Sequence, residues 1–363
     1  MTDINKIIEE GFYLNDQKRR LSGLAALSLK IALKSYFSTY QSMKYFLHIF
    51  ESKDINEEDI NWYHSDDYCE QSSEAIIHFH HFFELVSKEI LRSENPLLAV
   101  DASNKHVIFD KLLKGETVTE EDYEGLKSIE FSITIERLCE LIKKRNMGKG
   151  KLDFFITSKN FLKQLNVLRN RLLHRGVYIL KYNAFDNLVG KFLLPLVMEI
   201  LKLSQYKDSM DLWKYKSLSC GLDPIDEIMS EFKANKYDIT KIALLKELGR
   251  SAYNNQIAQD NRGVLKFLND EKIKKFERIA KIQTKQPNVS HITTCPVCGL
   301  NSLIVYDDIE TDDYNEETGA YSKAWRYTWQ VECASCTFEI NHHIKNPSEY
   351  GLDIPDYWHG EEL

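Results

Sequence analysis

The chain has little glycine and less proline, 15 and 7 among 363 residues. That scarcity disfavours a turn-rich β architecture and favours long helices. No apolar run approaches the ~20 residues that a membrane-spanning helix needs. The first ten residues, Met1 to Glu10, carry acids and no apolar core, so they do not read as a secretory signal. Excess positive charge is missing too. With 47 Lys and Arg against 55 Asp and Glu, the formal net charge is −8. Binding to nucleic acid by bulk electrostatics is thereby disfavoured, and any RNA contact must come from a local patch. A cytoplasmic protein without membrane association is expected.

What is present is ordinary for a globular protein: 43% hydrophobic and 28% charged residues. At roughly 150 residues per domain the length suggests about two domains. Leu24 to Phe50 is an uninterrupted apolar-periodic stretch and predicts one helix. Glu51 to Gln71 is polar and acidic. Ser73 is placed to cap a helix over Glu74 to Leu91, whose Ile76, Phe79, Phe83, Val86 and Ile90 recur every three or four residues. Further helices are expected over Ile129 to Lys144, over Lys159 to His174 with Ser158 as cap and Gly176 past its end, and over Leu180 to Ser204 with Pro195 bending it. Residues 1–205 thus read as an antiparallel helical bundle with insertions, followed by a helical extension over 206–285. The last helix of the extension, about 262–284, is charged on most faces by Lys272, Lys274, Lys275, Arg278 and Lys281. That pattern is either a solvated face or a phosphate-contacting one.

Seven cysteines are an odd number, in a chain too large to need disulfides. Cys69, Cys139 and Cys220 stand alone. Cys295-Pro-Val-Cys298 and Cys333-Ala-Ser-Cys336 are two CxxC turns, each able to aim two sulfurs at one point. Two such turns complete a tetrahedral four-thiolate shell, which suits one structural zinc ion per chain and leaves no open position for catalysis. An iron–sulfur cluster or a redox dithiol pair are the competing readings. Strand-like runs over Ser302 to Ile309, Trp325 to Glu332 and Thr337 to Ile344 surround the turns, and the region 291–345 resembles a zinc ribbon ahead of an acidic tail, 346–363. Seven acids fall between Asp307 and Glu317, so that loop is expected to be exposed and mobile. It suggests a protein partner at least as readily as RNA.

One helix carries candidate chemistry. Over Lys159 to His174, Phe161, Leu165, Leu168 and Leu172 share one face at 100° per residue. Asn166, Asn170 and His174 lie nearly opposite, Arg169 and Arg171 project from the flanks, and Val167 and Leu173 border the polar stripe. Exposed faces usually carry Glu and Lys. A small polar stripe with an apolar rim suits a symmetric interface around a site; a plain amphipathic helix with a histidine near its end is the alternative. Glu84 and Lys88 are spaced for a helix ion pair. His78, His80 and His81 form no HExxH pattern and make a poor metal site.

Arg169 to His174 (RNRLLH) matches the RxxxxH motif and resembles that of HEPN domains, with a polar residue directly after the arginine. The helix His80 to Leu91, bearing Glu84 and Lys88, is similar to another helix of that family. The resemblance covers about residues 22–205, treats 51–71 and 97–128 as insertions, and leaves 206–290 without a counterpart. It implies a metal-independent endoribonuclease, such as a toxin or an abortive-infection effector, acting on tRNA or mRNA as a homodimer. An RNA 2′-OH would attack the adjacent phosphate, leaving a 2′,3′-cyclic phosphate and a 5′-OH. His174 would act as general acid or base, Arg169 would neutralise phosphate charge, and Asn170 would orient the imidazole or the phosphate. Arg171, Arg175, Lys149 and Lys151 would contact RNA, the last two from the basic turn Arg145 to Lys151. Arg169 and His174, five residues apart, diverge by about 140° on one ideal helix, so a composite site needs two helices or an unwound last turn. An antitoxin or activating protein is an expected partner, and residues 206–363 are placed to restrain the activity. The other reading is a non-catalytic helical scaffold whose ribbon binds a protein or nucleic acid.

Overall fold

The computed structural model describes residues 21–51, 63–101, 106–117, 119, 122, 126–175, 178–258, 262–311, 314–315, 320–321 and 323–363. The start Met1 to Glu10, residues 52–62, parts of 97–128, Gly176 and four of the seven acids between Asp307 and Glu317 lie outside that set. The protein is mainly helical with a small C-terminal antiparallel sheet. Its helices are α1 (Leu21–Met43), α2 (Leu47–Glu51), α3 (Asp66–Glu94), α4 (His106–Leu113), α5 (Phe131–Arg145), α6 (Asp153–Arg175), α7 (Tyr182–Leu188), α8 (Leu194–Leu201), α9 (Met210–Trp213), α10 (Pro224–Lys233), α11 (Ile239–Asn254) and α12 (Gly263–Gln283). A two-stranded ladder joins β1 (Val100–Asp101) to β2 (Lys127–Ser128). No described helix is long and apolar enough to cross a membrane.

Several element boundaries differ from expectation, each for a local reason. The apolar stretch 24–50 forms two helices, because a turn over 44–46 with Phe46 N–H donating to Met43 O ends α1. Ser73 and Ser158 are helix-interior residues and cap nothing. Ser65 fills that role for α3, accepting the Tyr68 N–H at 3.3 Å, and Asp66 and Asp67 follow in the positive first turn. Between Leu180 and Ser204 the chain passes from α7 through a π-helical turn, Val189–Leu193, into α8. Pro195 offers no N–H to the Lys191 carbonyl one turn earlier, which fits a helix that changes its hydrogen-bond pitch there.

The described residues fall into two compact units. One comprises those within Met1–Ala32, Ile76–Tyr178 and Leu196–Lys214. Here the predicted α3 stripe is internal: Ile76, Phe79, Phe83, Val86 and Ile90 are buried, as are Ile135 and Leu138 of α5 and Phe155, Leu162 and Leu165 of α6. Each such side chain contributes roughly 1.5–3 kcal/mol by leaving water.

The other unit comprises the described residues within Leu33–Ala75, Ile179–Pro195 and Tyr215–Leu363. α11 is buried on nearly every side, including Lys246 and Glu247. Lys246 Nζ lies 2.5 Å from Asp186 of α7, with both side chains fully buried, and sits 3.8 Å from the Tyr182 ring centre. Burial pushes Lys246 down to about 8, against the opposing attraction of Asp186. An ion pair placed so deep costs desolvation and acts through specificity more than stability.

The sheet of this unit contains β3 (Val289–Thr293), β4 (Leu303–Thr311), β7 (Ala324–Cys333), β8 (Glu339–Asn341) and β9 (Gly360–Glu362), with a minor ladder of β5 (Tyr314–Asn315) and β6 (Ala320–Tyr321). The order is β3-β4-β7-β8, and β9 also pairs with β7. β8 lies beside Gln330–Glu332 and β9 beside Trp325–Tyr327. The segment expected to be an acidic loop from Asp307 is strand up to Thr311, paired with β7. In the segment 346–363, Leu352, Ile354 and Tyr357 are buried.

Candidate metal centre and polar helix face

Both CxxC turns are built alike. Gly299 N–H donates to Cys295 O, Cys295 N–H to Leu300 O, Thr337 N–H to Cys333 O and Cys333 N–H to Phe338 O. Each turn closes on a left-handed residue, Gly299 at φ +75° and Thr337 at φ +61°. The two turns meet at the end of the β4–β7 pair, where Leu303 lies opposite Cys333. Cys295 Sγ lies 3.6 Å from Cys336 Sγ, and Cys298 Sγ lies 3.6 Å from Cys333 Sγ. All four sulfurs fall within 4.8 Å of one another.

These distances fit a metal. A tetrahedron with metal–sulfur bonds of ~2.3 Å separates its sulfurs by about 3.8 Å. Cys295, Cys333 and Cys336 are buried. Four thiolates this close repel one another without a cation between them. The Ser302 hydroxyl, 3.2 Å from Cys333 Sγ, and the Ser335 N–H, at 3.4 Å, support that sulfur from outside the cluster. Cys220 stands alone in the sequence, with no second cysteine near it. Its backbone N–H donates to Pro296 O at 2.9 Å, and Ser219 N–H donates to Val297 O at 3.0 Å, so the segment before α10 straps the first turn.

The arm beyond the cysteines has its own chemistry. At the register shift between Tyr306 and Asp307, β7 carries one extra residue, Trp329. Past it, Asp308 faces Tyr327 and Glu310 faces Trp325. Residues directly opposite one another in an antiparallel pair share a face, and so do residues two apart on one strand. One face of the arm therefore alternates aromatic and acid. Trp325 is 48% exposed. Burial, with Asp308 and Glu310 adding to it, raises the Tyr327 phenol above its usual value.

The helix face on α6 is divided. Asn166 turns inward, and its Oδ1 lies 2.9 Å from Nε2 of the buried His80 on α3. That pairing requires the Nε2–H form of His80. Burial lowers His80 below the usual histidine range, against the raising effects of Asn166 and Glu84, and the Arg169 charge adds to the lowering. Glu84 lies 2.6 Å from the buried Lys88, so the expected helix ion pair is present. His81 Nδ1 lies 2.8 Å from the Ser28 hydroxyl. Spacing alone does not mark His80 as part of this network, but its neighbours Phe79, Phe82 and Phe83, all buried, signal an internal segment.

Arg169 donates from Nη1 to Asn170 Oδ1 at 3.0 Å, and its buried Nε has no hydrogen-bond partner among the described residues. His174 is exposed. Val167 and Leu173, the expected apolar rim, are 43% and 46% exposed. Arg171 lies over the Tyr178 ring at 5.7 Å. Arg175 is the last residue of α6. Lys149 adopts φ +49° between Gly148 and Gly150, both also at positive φ. Lys151 lines a cleft of about 660 Å³ together with Lys202, Lys207, Glu94 and Glu199. The structure thus brings Arg169 to Asn170 and Asn166 to His80, and leaves Lys149 and Lys151 in the loop ahead of α6. Comparison with family models, with curated proteins and with solved structures finds no match.

Proposed function

We propose that the protein is a non-catalytic helical scaffold whose metal-stapled ribbon binds a partner protein bearing a basic surface. The observation that carries this reading is the alternation of Trp325 and Tyr327 with Glu310 and Asp308 on one face of the β4–β7 arm. Lysine and arginine side chains lie favourably over aromatic faces, and carboxylates beside the rings complete the recognition. The same carboxylates repel phosphate, as does the net charge of −8. The metal is zinc in this reading, held by Cys295, Cys298, Cys333 and Cys336, and its task is to fix the base of the arm.

The test compares wild type with the D308K/E310K variant and with Trp325→Ala in cross-linking and capture from cells. Wild type is expected to retain a basic protein that all the altered arms lose. Tight, salt-sensitive binding of RNA by wild type, or equal capture by all forms, would overturn the reading.

A second reading rests on the contact between Arg169 and Asn170 beside an exposed His174. In it the chain is a HEPN-type endoribonuclease, a toxin or antiphage effector, whose two protomers together supply one site. Purified protein incubated with total RNA decides it: identical RNA profiles for wild type and His174→Ala dispose of the nuclease.

A further inference from the structure

α12 turns Asn269, Phe276 and Ala280 inward, all buried. Its opposite side carries Val264, Leu268, Glu271, Lys275, Arg278 and Ile282, all exposed, with Val264 at 75%. Their spacing is four, three, four, three and four, the repeat that keeps a seam aligned along a helix in a coiled coil. The seam is about 27 Å long. Phe267, 64% exposed, borders it next to Leu268.

The order of residue types selects what covers the seam. Paired in parallel with itself, the seam would set Glu271 on Glu271, Lys275 on Lys275 and Arg278 on Arg278, three successive layers of like charge. Reversed about a two-fold axis between Glu271 and Lys275, it sets Val264 on Ile282, Leu268 on Arg278 and Glu271 on Lys275. The axis repeats each layer, so two opposite-charge layers lie at the centre and apolar layers close both ends. Arg278 then lays its aliphatic stem on Leu268, with its guanidinium beside the Phe267 ring. Lys272 and Lys274 border the centre. Glu271, 3.5 Å from Lys274, offsets that charge within its own helix.

We infer that α12 pairs with α12 of a second copy of this chain, antiparallel, in the register that matches Glu271 with Lys275. This goes beyond the partner reading of the arm and does not depend on it. The paired charges set register and direction, while Val264, Phe267, Leu268 and Ile282 supply the apolar contact.

Sedimentation of the full metal-bound chain over a concentration series tests the pairing. Wild type is expected to shift from monomer to dimer. Glu271→Lys and Lys275→Glu, each alone, turn two symmetry-related attractions into repulsions and should weaken association by about tenfold. The E271K/K275E double variant restores opposite charges across the axis and should recover most of that loss. Leu268→Lys sets a lysine against Arg278 of the second copy at both ends of the charged centre and should abolish the dimer, with metal content and helical circular dichroism unchanged because the side chain faces outward. A wild-type chain that stays monomeric throughout, a dimer indifferent to Leu268→Lys, or a double variant as weak as the singles would overturn the inference.

Discussion

The Glu339 backbone N–H donates to the carboxylate of Glu247 at 2.7 Å, which ties β8, the strand that follows the second cysteine turn, to the buried helix α11. Glu247 also takes Gln41 Nε2 at 2.9 Å and both Arg250 Nε and Nη2, at 2.8 and 2.7 Å. Arg250 in turn reaches the hydroxyl and the carbonyl of Thr337, the left-handed residue that closes the second cysteine turn. One fully buried carboxylate thus organises the seat of the ribbon. Glu247→Ala leaves a mostly buried guanidinium and an amide without their acceptor and should cost about 3 kcal/mol. Glu247→Gln keeps an acceptor for the amide and should cost less. Denaturant midpoints check the size. Hydrogen exchange checks the place: protection should fall first at Thr337 to Glu339.

The four-sulfur cluster predicts one zinc ion per chain by metal analysis. Cys333→Ser removes the sulfur that Ser302 and Ser335 support, and should remove the metal. The β4–β7 amides should then exchange freely, while the helical signal in far-ultraviolet circular dichroism persists. Structural zinc sites contribute of the order of 10 kcal/mol to the fold that holds them, so chelation of wild type should reproduce the same pattern. A fully protected sheet after complete metal removal would show that the cysteine turns hold without it.

The metal centre was legible because its information is local. Two short turns of fixed spacing specify it, and only the strap from Ser219 and Cys220 needed the fold. The buried stripe of α3 was legible for a similar reason, since five apolar residues recur at helical spacing between Ile76 and Ile90. Helix ends were less so. A serine can cap wherever the chain leaves a helix, and neither Ser73 nor Ser158 differs from Ser65 until packing chooses. The stripe of Asn166, Asn170 and His174 shows what a wheel cannot supply: it gives an angle and no neighbour. Asn166 points inward because His80 on another helix offers it a partner. Lys246 was equally hidden, since a lone lysine in a helix reads as solvated until Asp186 and two tyrosine rings come together around it.

His80 makes part of the first unit sensitive to acid. Burial holds its folded value below the unfolded one near ~6.5, as it also does for His81. The unfolded chain therefore binds the proton first. The stability contributed by neutral His80 is complete above ~6.5 and is lost as the pH falls from there through the lowered folded value, below which the slope levels off. His80→Gln keeps a donor for Asn166 and cannot titrate. Its unfolding midpoint should decline less than that of wild type between about pH 7 and pH 5, and the H80Q/H81Q double variant should decline less again. Equal declines for wild type and both variants would show that the acid sensitivity resides elsewhere.

Gly190, inside the π-helical turn, is excluded from substitution by contact alone. A Cβ built there would lie 1.9 Å from Phe232 Cδ2 and 2.2 Å from Cε2, far inside any real carbon–carbon contact. The Phe232 ring cannot easily retreat, because it is buried and stacked on Tyr237 with ring centres 5.4 Å apart. Gly190→Ala must therefore displace either α10 or the turn, and overpacking of this kind costs about 1–3 kcal/mol or more. That outweighs the roughly 1 kcal/mol by which alanine exceeds glycine in helix propensity, so the net effect should be a loss. Phe232→Leu alone should cost about 1 kcal/mol for the lost ring contacts. Combined with Gly190→Ala it removes Cε2 and replaces the rigid ring by a shorter side chain that can turn its remaining carbons away from the added methyl group, so the double variant should be more stable than the sum of the two single losses predicts. Denaturant midpoints of the four proteins close the cycle, and strict additivity would mean that the turn, and not the ring, absorbs the added methyl group.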